Sequence, residues 1–257
     1  MSVEPAKFVM DVLGAGPAYT DRPGASGAAY LVRTAGAAVL LDLGQGSFPR
    51  LTAKLEPSTL TAIVVSHLHP DHFIDLVPLR HYLAYQFEPG RHVRVVAPDG
   101  LTERLDALHA QRGFTATALD VERLGTTRMR LGDLDLEARR VRHTDDSHAI
   151  RLSRTADGPG LVYSGDCGVA DDLGPLIRPG DTLLVEASFG LGPVPPGAMH
   201  LDEPAIAGLI ARARPSRVIV THIQMGHDAE ATATALRKDF PGDVVVAEPG
   251  LSFDLAG

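Results

Sequence analysis

The sequence predicts an α/β fold built as one domain over residues 1–257. Three observations carry this. Short aliphatic and β-branched runs, such as Ile63-Val64-Val65 and Val218-Ile219-Val220, have the length and composition of buried strands. Longer stretches at 77–87, 101–111, 201–213 and 229–238 alternate with them and carry helical patterning. No low-complexity or linker segment divides the 257 residues, a length that suffices for a large core of its own.

Taken in order, 8–13 reads as a first strand, stopped by Gly14-Ala15-Gly16-Pro17. The glycine pair is a poor dinucleotide loop, because Pro17 follows and no helical pattern does. Segments 28–33 and 37–42 form a hairpin across Thr34-Ala35-Gly36, and Asp42-Leu43-Gly44-Gln45-Gly46 turns into a helix over 48–55. Strands are expected at 92–97, 134–141, 150–153, 161–164 and 182–186. A Pro- and Gly-rich loop spans 190–197, and the helix over 201–213 has Asp202 and Glu203 in its first turn and Pro215 beyond its end. The strand at 217–221 delivers His222, and strands at 244–246 and 251–255 close the chain. His81, His92 and His109 lack ligand-like neighbours and read as ordinary surface or boundary histidines.

Composition narrows the partners. Hydrophobic residues make up 44% with no tryptophan, so the core is expected to be aliphatic. A formal charge of −8 argues against a broad basic surface and against a stable nucleic-acid partner, leaving a small-molecule substrate. No apolar stretch approaches the ~20 residues that span a bilayer, so no membrane partner is expected. Residues 1–6 lack a basic region followed by an apolar run, and the single cysteine, Cys167, excludes an internal disulfide. A cytoplasmic location is the expectation, with a homodimer left open.

The most informative stretch is Ser66-His67-Leu68-His69-Pro70-Asp71-His72, placed at the end of an apolar strand. Imidazole nitrogen and carboxylate oxygen are the ligand types zinc takes in open sites. His67 and His69 project together from an extended chain, whereas Asp71 and His72, entering a helix, project elsewhere. A single catalytic ion needs three protein ligands, so this spacing suggests two ions; the competing reading is a surface histidine cluster beside a helix start. Ser66-His67 after Ile63-Val64-Val65 is echoed by Thr221-His222 after Val218-Ile219-Val220, which suggests two related halves facing each other. His143 and Asp166 also sit where strands open into loops.

The motif H-x-H-x-D-H, followed by His143, Ser164-Gly165-Asp166 and Thr221-His222, resembles the metallo-β-lactamase superfamily over nearly the whole chain. The resemblance implies a four-layer αββα sandwich with metals in a cleft at one edge of the sheets. Carried over by position, His67, His69 and His143 would hold one ion, Asp71, His72 and His222 the other, and Asp166 would bridge both. Two divalent ions are implied, zinc first and manganese as the alternative. Asp42 matches a position where the family keeps a buried supporting group. Flavodiiron oxygen reductases carry Glu where this chain has His69, and zinc β-lactamases carry Cys where it has Asp166, so hydrolysis is implied rather than iron redox chemistry.

Glu186-Ala187-Ser188-Phe189 and Met199-His200-Leu201-Asp202 are similar to motifs of RNase Z and related phosphodiesterases. There the histidine protonates the leaving oxygen, oriented by the glutamate, which gives His200 and Glu186 these roles; Asp71 would orient or deprotonate a bridging hydroxide. A helix start and a solvated glutamate are the competing reading of His200 and Glu186. Ser147 matches a family serine and His148 stands where an aromatic is commoner, so both are substrate-binding candidates. The interval between His143 and Asp166 is too short for the basic tRNA-clamping arm of RNase Z. The layout looks more like small bacterial enzymes that open 3′,5′-cyclic nucleotides. A thioesterase or lactonase of the same fold is the alternative, followed by an RNase Z-like nuclease and a non-catalytic sensor.

Overall fold

The structure is a computed structural model that describes residues 8–126 and 128–255. The leader reading over residues 1–6 lies outside the described residues.

The first sheet is built from β1 (Val9–Gly14), β2 (Ala29–Arg33), β3 (Ala38–Leu41), β4 (Ala62–Val64), β5 (Val93–Ala97) and β6 (Leu119–Arg123). The second contains β7 (Arg128–Leu131), β8 (Leu134–Val141), β9 (Ser147–Ser153), β10 (Gly160–Tyr163), β11 (Thr182–Glu186), β12 (Arg217–Thr221) and β13 (Asp243–Val246). The chain then returns through β14 (Ser252–Asp254), which pairs antiparallel with β1 and completes the first sheet in the order β14-β1-β2-β3-β4-β5-β6. The second sheet runs in sequence order from β13 to β7. Helices α1 (Phe48–Lys54), α2 (Pro70–Phe73), α3 (Leu76–Tyr85) and α4 (Leu101–Leu108) fall in the first half, and α5 (Glu203–Ala213) and α6 (Ala229–Arg237) in the second.

Three packed cores define the layers. One lies between the sheets, where Met10, Tyr30, Val39 and Val64 meet Leu136, Ile150, Leu161 and Ile219. Alternate residues of the same strands face outward: Leu31, Leu40 and Ile63 pack with Leu51, Leu76 and Leu79 of α1 and α3. Val162, Val185 and Val220 pack with Ile206, Leu209 and Leu236 of α5 and α6. The central strands are buried on both faces, which explains their unbroken aliphatic runs. The result is the α/β sandwich of two covered sheets that the sequence predicts.

Several bounds differ. β6 and β7 are absent from the sequence reading because they are edge strands rich in charge, Leu-Asp-Val-Glu-Arg and Arg-Met-Arg-Leu, and carry little apolar signal. β9 begins at Ser147 rather than residue 150, since pairing with β8 extends it. α4 stops at Leu108, and α5 starts at Glu203 because Asp202 caps it, its carboxylate accepting from Ala205 N.

The strands running toward one edge converge there. β3 leads to Asp42, β4 to His67, β8 to His143, β10 to Asp166, β11 ends at Glu186 and β12 leads to His222. The two echoing strand-end histidines therefore come from opposite sheets.

Candidate metal centre

Backbone geometry makes the turn after β4 carry ligands in two directions. His69 is the extended N-cap of α2, and Pro70 at its first position fixes the entry angle. His67 and His69 precede the helix; Asp71 and His72 lie inside its first turn. Close backbone crossing holds this turn against the loop after β3. A Cβ on Gly44 would stand 1.9 Å from the Asp71 carbonyl oxygen, and one on Gly27 2.6 Å from it. Asp42 and His222 both adopt left-handed backbone, with φ of 57° and 56°, a strained conformation held by the surrounding packing.

The potential ligand atoms of His67, His69, His143 and Asp166 form one group and those of Asp71, His72 and His222 a second; Asp166, His200 and His222 also lie within reach of one another. His69 Nδ1 lies 3.0 Å from His143 Nε2, and Asp166 Oδ2 lies 3.6 Å from both His143 Nε2 and His67 Nε2. On the other side, His222 Nε2 is 3.2 Å from Asp71 Oδ2, and His72 Nε2 is 3.6 Å from it. Asp166 Oδ1 stands 3.4 Å from His72 Nε2 and 3.5 Å from His222 Nε2. Ligands about 2.0–2.1 Å from a tetrahedral ion are about 3.3 Å from one another, the spacing seen in both groups. His67 Nε2, His72 Nε2 and Asp166 Oδ1 are buried and have no hydrogen-bond partner. Such atoms are costly to leave unpaired, and a cation would satisfy all three. The residues present fit divalent metal, and the two oxygens of Asp166 face different groups.

Outer partners fix the ring tautomers. His72 Nδ1 donates to Asp42 Oδ2 at 2.7 Å, and Ser66 Oγ and Tyr163 Oη donate to the same oxygen at 2.8 and 2.7 Å. With its proton on Asp42, Ser66 Oγ accepts from His67 Nδ1 at 3.1 Å. His143 Nδ1 donates to the Met199 carbonyl at 2.7 Å, and His222 Nδ1 to Ser188 Oγ at 3.1 Å. Four rings thus carry the outward proton on Nδ1 and turn an Nε2 lone pair inward, the arrangement metal-binding histidines need. Burial holds His67 well below the usual histidine range, with the charge of His72 adding to it. His72 is pushed the other way: burial opposes protonation, but Asp166 and Asp42 lift it well above. Asp166 is held well below the usual carboxylate range because the His222 and His72 charges outweigh its burial. Asp166 is thus ionised between the two groups, and a bound cation would displace the proton that His72 otherwise holds.

Glu186 and His200 form a second unit. Glu186 Oε1 accepts from His200 Nδ1 at 3.0 Å, and the carboxylate is anchored by backbone N–H groups of Cys167, Ser188 and Leu201. His200 Nδ1 is 4.0 Å from Asp166 Oδ2. Burial draws the His200 pKa down, but the hydrogen bond and charge of Glu186 outweigh it and hold it above the usual value. Cys167, one residue from Asp166, is buried and its thiol is pushed up to about 12, so it stays protonated.

All candidate ligands therefore meet at one edge, together with His200 and Glu186. Ser147 and His148 are buried at the start of β9. Ser147 Oγ accepts from Thr144 N and bonds Thr144 Oγ1, closing the turn after His143. Among the described residues His148 Nδ1 has no hydrogen-bond partner, and its backbone N–H donates to Ser66 O. His81, His92 and His109 lie away from the centre: His81 bonds Val77 O, His92 pairs with Asp120, and His109 stacks on Phe114. Sequence reasoning missed the roles of Ser66, Tyr163, Ser188 and the Met199 carbonyl. The first three lie beside quoted motif residues, a signal available in principle; a backbone carbonyl leaves none.

Two facing sheets with a histidine–aspartate centre at their shared edge define a metallo-hydrolase architecture. The chain belongs to the β-lactamase superfamily domain family, whose profile matches residues 39–223. It is similar to an uncharacterized Mycobacterium leprae protein, 29% identical over 242 residues, covering 91% of this chain and 84% of that one. The zinc phosphodiesterase ELAC protein 2 of Rattus norvegicus is 29% identical over 179 residues, 59% of this chain and 22% of its own length. Among solved structures, the metallo-β-lactamase fold protein YhfI from Bacillus subtilis superposes with a TM-score of 0.85 at 19% identity, covering 96% of this chain and 99% of that one.

Proposed function

We propose that this protein is a phosphodiesterase that uses two divalent ions, zinc first, to hydrolyse a small phosphodiester such as a 3′,5′-cyclic nucleotide. His67, His69 and His143 would hold one ion and Asp71, His72 and His222 the other, with Asp166 shared. Bound there, the ions supply positive charge beside phosphate oxygens and make water acidic enough to act as a nucleophile near neutral pH.

The observation that carries the reading is the Glu186–His200 pair beside the centre. Glu186 occupies His200 Nδ1, which leaves Nε2 as the nitrogen that meets a substrate. With its pKa raised, His200 can carry a proton and give it to an oxygen leaving phosphorus. As the bond from phosphorus to that oxygen breaks, water adds to phosphorus and the His200 proton neutralises the departing alkoxide. Asp71, within 3.2 Å of His222 Nε2, orients the water and accepts its proton. The similarity to a zinc phosphodiesterase supports the bond type, and a formal charge of −8 favours a small substrate over a polyanion.

His200→Ala tests this through the leaving group. A ribose alkoxide needs the proton, so cyclic nucleotide opening should slow by ~10²–10⁴-fold. A p-nitrophenolate departs without it, so bis(p-nitrophenyl) phosphate cleavage should fall little, and metal content should not change. Equal losses on both substrates would remove the proton-donor role. A wild-type preference for thioesters or lactones over every phosphodiester would overturn the phosphodiesterase reading.

A further inference from the structure

A cavity of about 400 Å³ is lined by His200, whose Nδ1 lies 4.0 Å from Asp166 Oδ2, and by none of the candidate metal ligands. Val169, Val194, Ala198, Leu201, Ala205 and Gly208 supply most of the rest of its wall, and all are apolar or lack a side chain. Its size falls in the range of small-molecule sites. The polar exception is Arg212, ion-paired with Asp171; both side chains are exposed and both line the cavity.

Gly208 shows that the space is kept open. It lies in the interior of α5, where glycine is less favourable than any residue but proline. Its backbone is not left-handed, so no conformational need for glycine exists. Packing gives no reason either, since among the described residues the one atom outside the helix backbone within 4 Å of a Cβ built there is Arg212 Nη1, at 3.4 Å. Gly168, across the cavity wall, is different: a Cβ there would stand 2.8 Å from Met199 Cα, so that glycine is required for the loop bearing His200 to close. What Gly208 provides is volume in the cavity that His200 also lines.

We infer that this cavity is the leaving-group subsite: it receives the alcohol half of the substrate, an apolar-faced body of nucleoside size, seated against His200. The apolar wall covers the faces of that body and the Asp171–Arg212 pair meets its polar edge. The inference rests on the phosphodiesterase reading for the identity of the alcohol, but on the cavity alone for its place.

Adenosine is the probe, titrated calorimetrically into zinc-loaded wild type, Gly208→Ala and Gly208→Leu, with inorganic phosphate as the comparison ligand. Adenosine should bind a few-fold more weakly to Gly208→Ala and at least tenfold more weakly to Gly208→Leu. Phosphate affinity should stay within twofold in all three. Gly208→Ala should melt at or above the wild-type temperature, because alanine favours the helix; weaker binding in a more stable protein is what a structural role would not produce. With 3′,5′-cyclic AMP as substrate, KM should rise in the same order while kcat changes less than threefold. Equal adenosine affinity in all three proteins, or none in wild type, overturns the subsite. If Gly208→Leu does not fold, Gly208→Ala and Val194→Phe decide the same question. Adenosine binding that follows this pattern without hydrolysis of cyclic AMP would keep the cavity and remove the phosphodiesterase reading. Hydrolysis with KM unchanged across the series would do the reverse.

Discussion

Gly44→Ala adds a single methyl group against the backbone of Asp71, not its carboxylate, yet it should disable half of the candidate metal centre. The Cβ would stand 1.9 Å from the Asp71 carbonyl oxygen and 2.8 Å from both Asp71 C and Gly27 C. A carbon–oxygen contact needs about 3.3 Å, so the chains must part by about 1.4 Å. They are not free to do so. Leu43 N donates to His72 O at 2.8 Å, Asp75 N to Leu43 O at 3.1 Å, and Gly44 N to Ala28 O at 2.9 Å. Overpacking of this kind costs about 1–3 kcal/mol, and each hydrogen bond lost on separation adds about 1 kcal/mol. At about 2–4 °C per kcal/mol for a chain of this size, a cost of about 3 kcal/mol lowers Tm by about 6–12 °C. The displaced turn carries Asp71 and His72, and metal sites tolerate only about ±0.2 Å in ligand distance. The expected result is a folded protein that retains about one divalent ion where wild type is expected to hold two, with hydrolysis reduced by about a hundredfold or more. Elemental analysis after dialysis, a thermal melt and a phosphodiester assay read the three quantities. Wild-type melting and full metal content in Gly44→Ala would refute the claim that this crossing positions Asp71.

Asp166→Ala and Asp71→Ala should each abolish hydrolysis by different routes: metal analysis should show ions lost from the first, which faces both groups, and partly kept by the second. Full activity in either would contradict the assignment. Chelation should lower Tm, because a ligand present at 100 times its Kd stabilises the fold by about 2.7 kcal/mol; a melt unchanged by chelator and by added zinc would speak against a metal centre. Asp11 tests acid stability away from the site. Burial raises its pKa, but hydrogen bonds from Ser252, Lys54 and Arg33 outweigh this and hold it below the usual value. A depressed folded-state pKa contributes stability above the ordinary carboxylate range that is lost as pH falls through the folded value. Asp11→Asn should therefore lower Tm at neutral pH and narrow the gap to wild type in acid; a constant gap at every pH would show that charge is not the cause.

Much of this protein is legible along the chain because its decisive signals are local. The aliphatic runs that become β4, β11 and β12 are buried on both faces, so composition alone marks them. The spacing of His67, His69, Asp71 and His72 puts ligands on both sides of one turn, and the likeness to a known superfamily extends from there to His143, Asp166 and His222. Edge strands β6 and β7 are not legible, since charged side chains on an exposed edge carry no apolar period and exist as strands only through their partners. The same limit applies to the site. That Asp42 gathers Ser66, His72 and Tyr163 on one oxygen, that Ser188 and the Met199 carbonyl set two ring tautomers, and that Gly44 is a glycine because the Asp71 backbone crosses it are contacts between segments far apart in sequence. A residue's type can announce that it binds metal or moves a proton. Which of its atoms faces inward, and how much room is left beside it, is decided only when distant strands pack and each buried donor must find an acceptor.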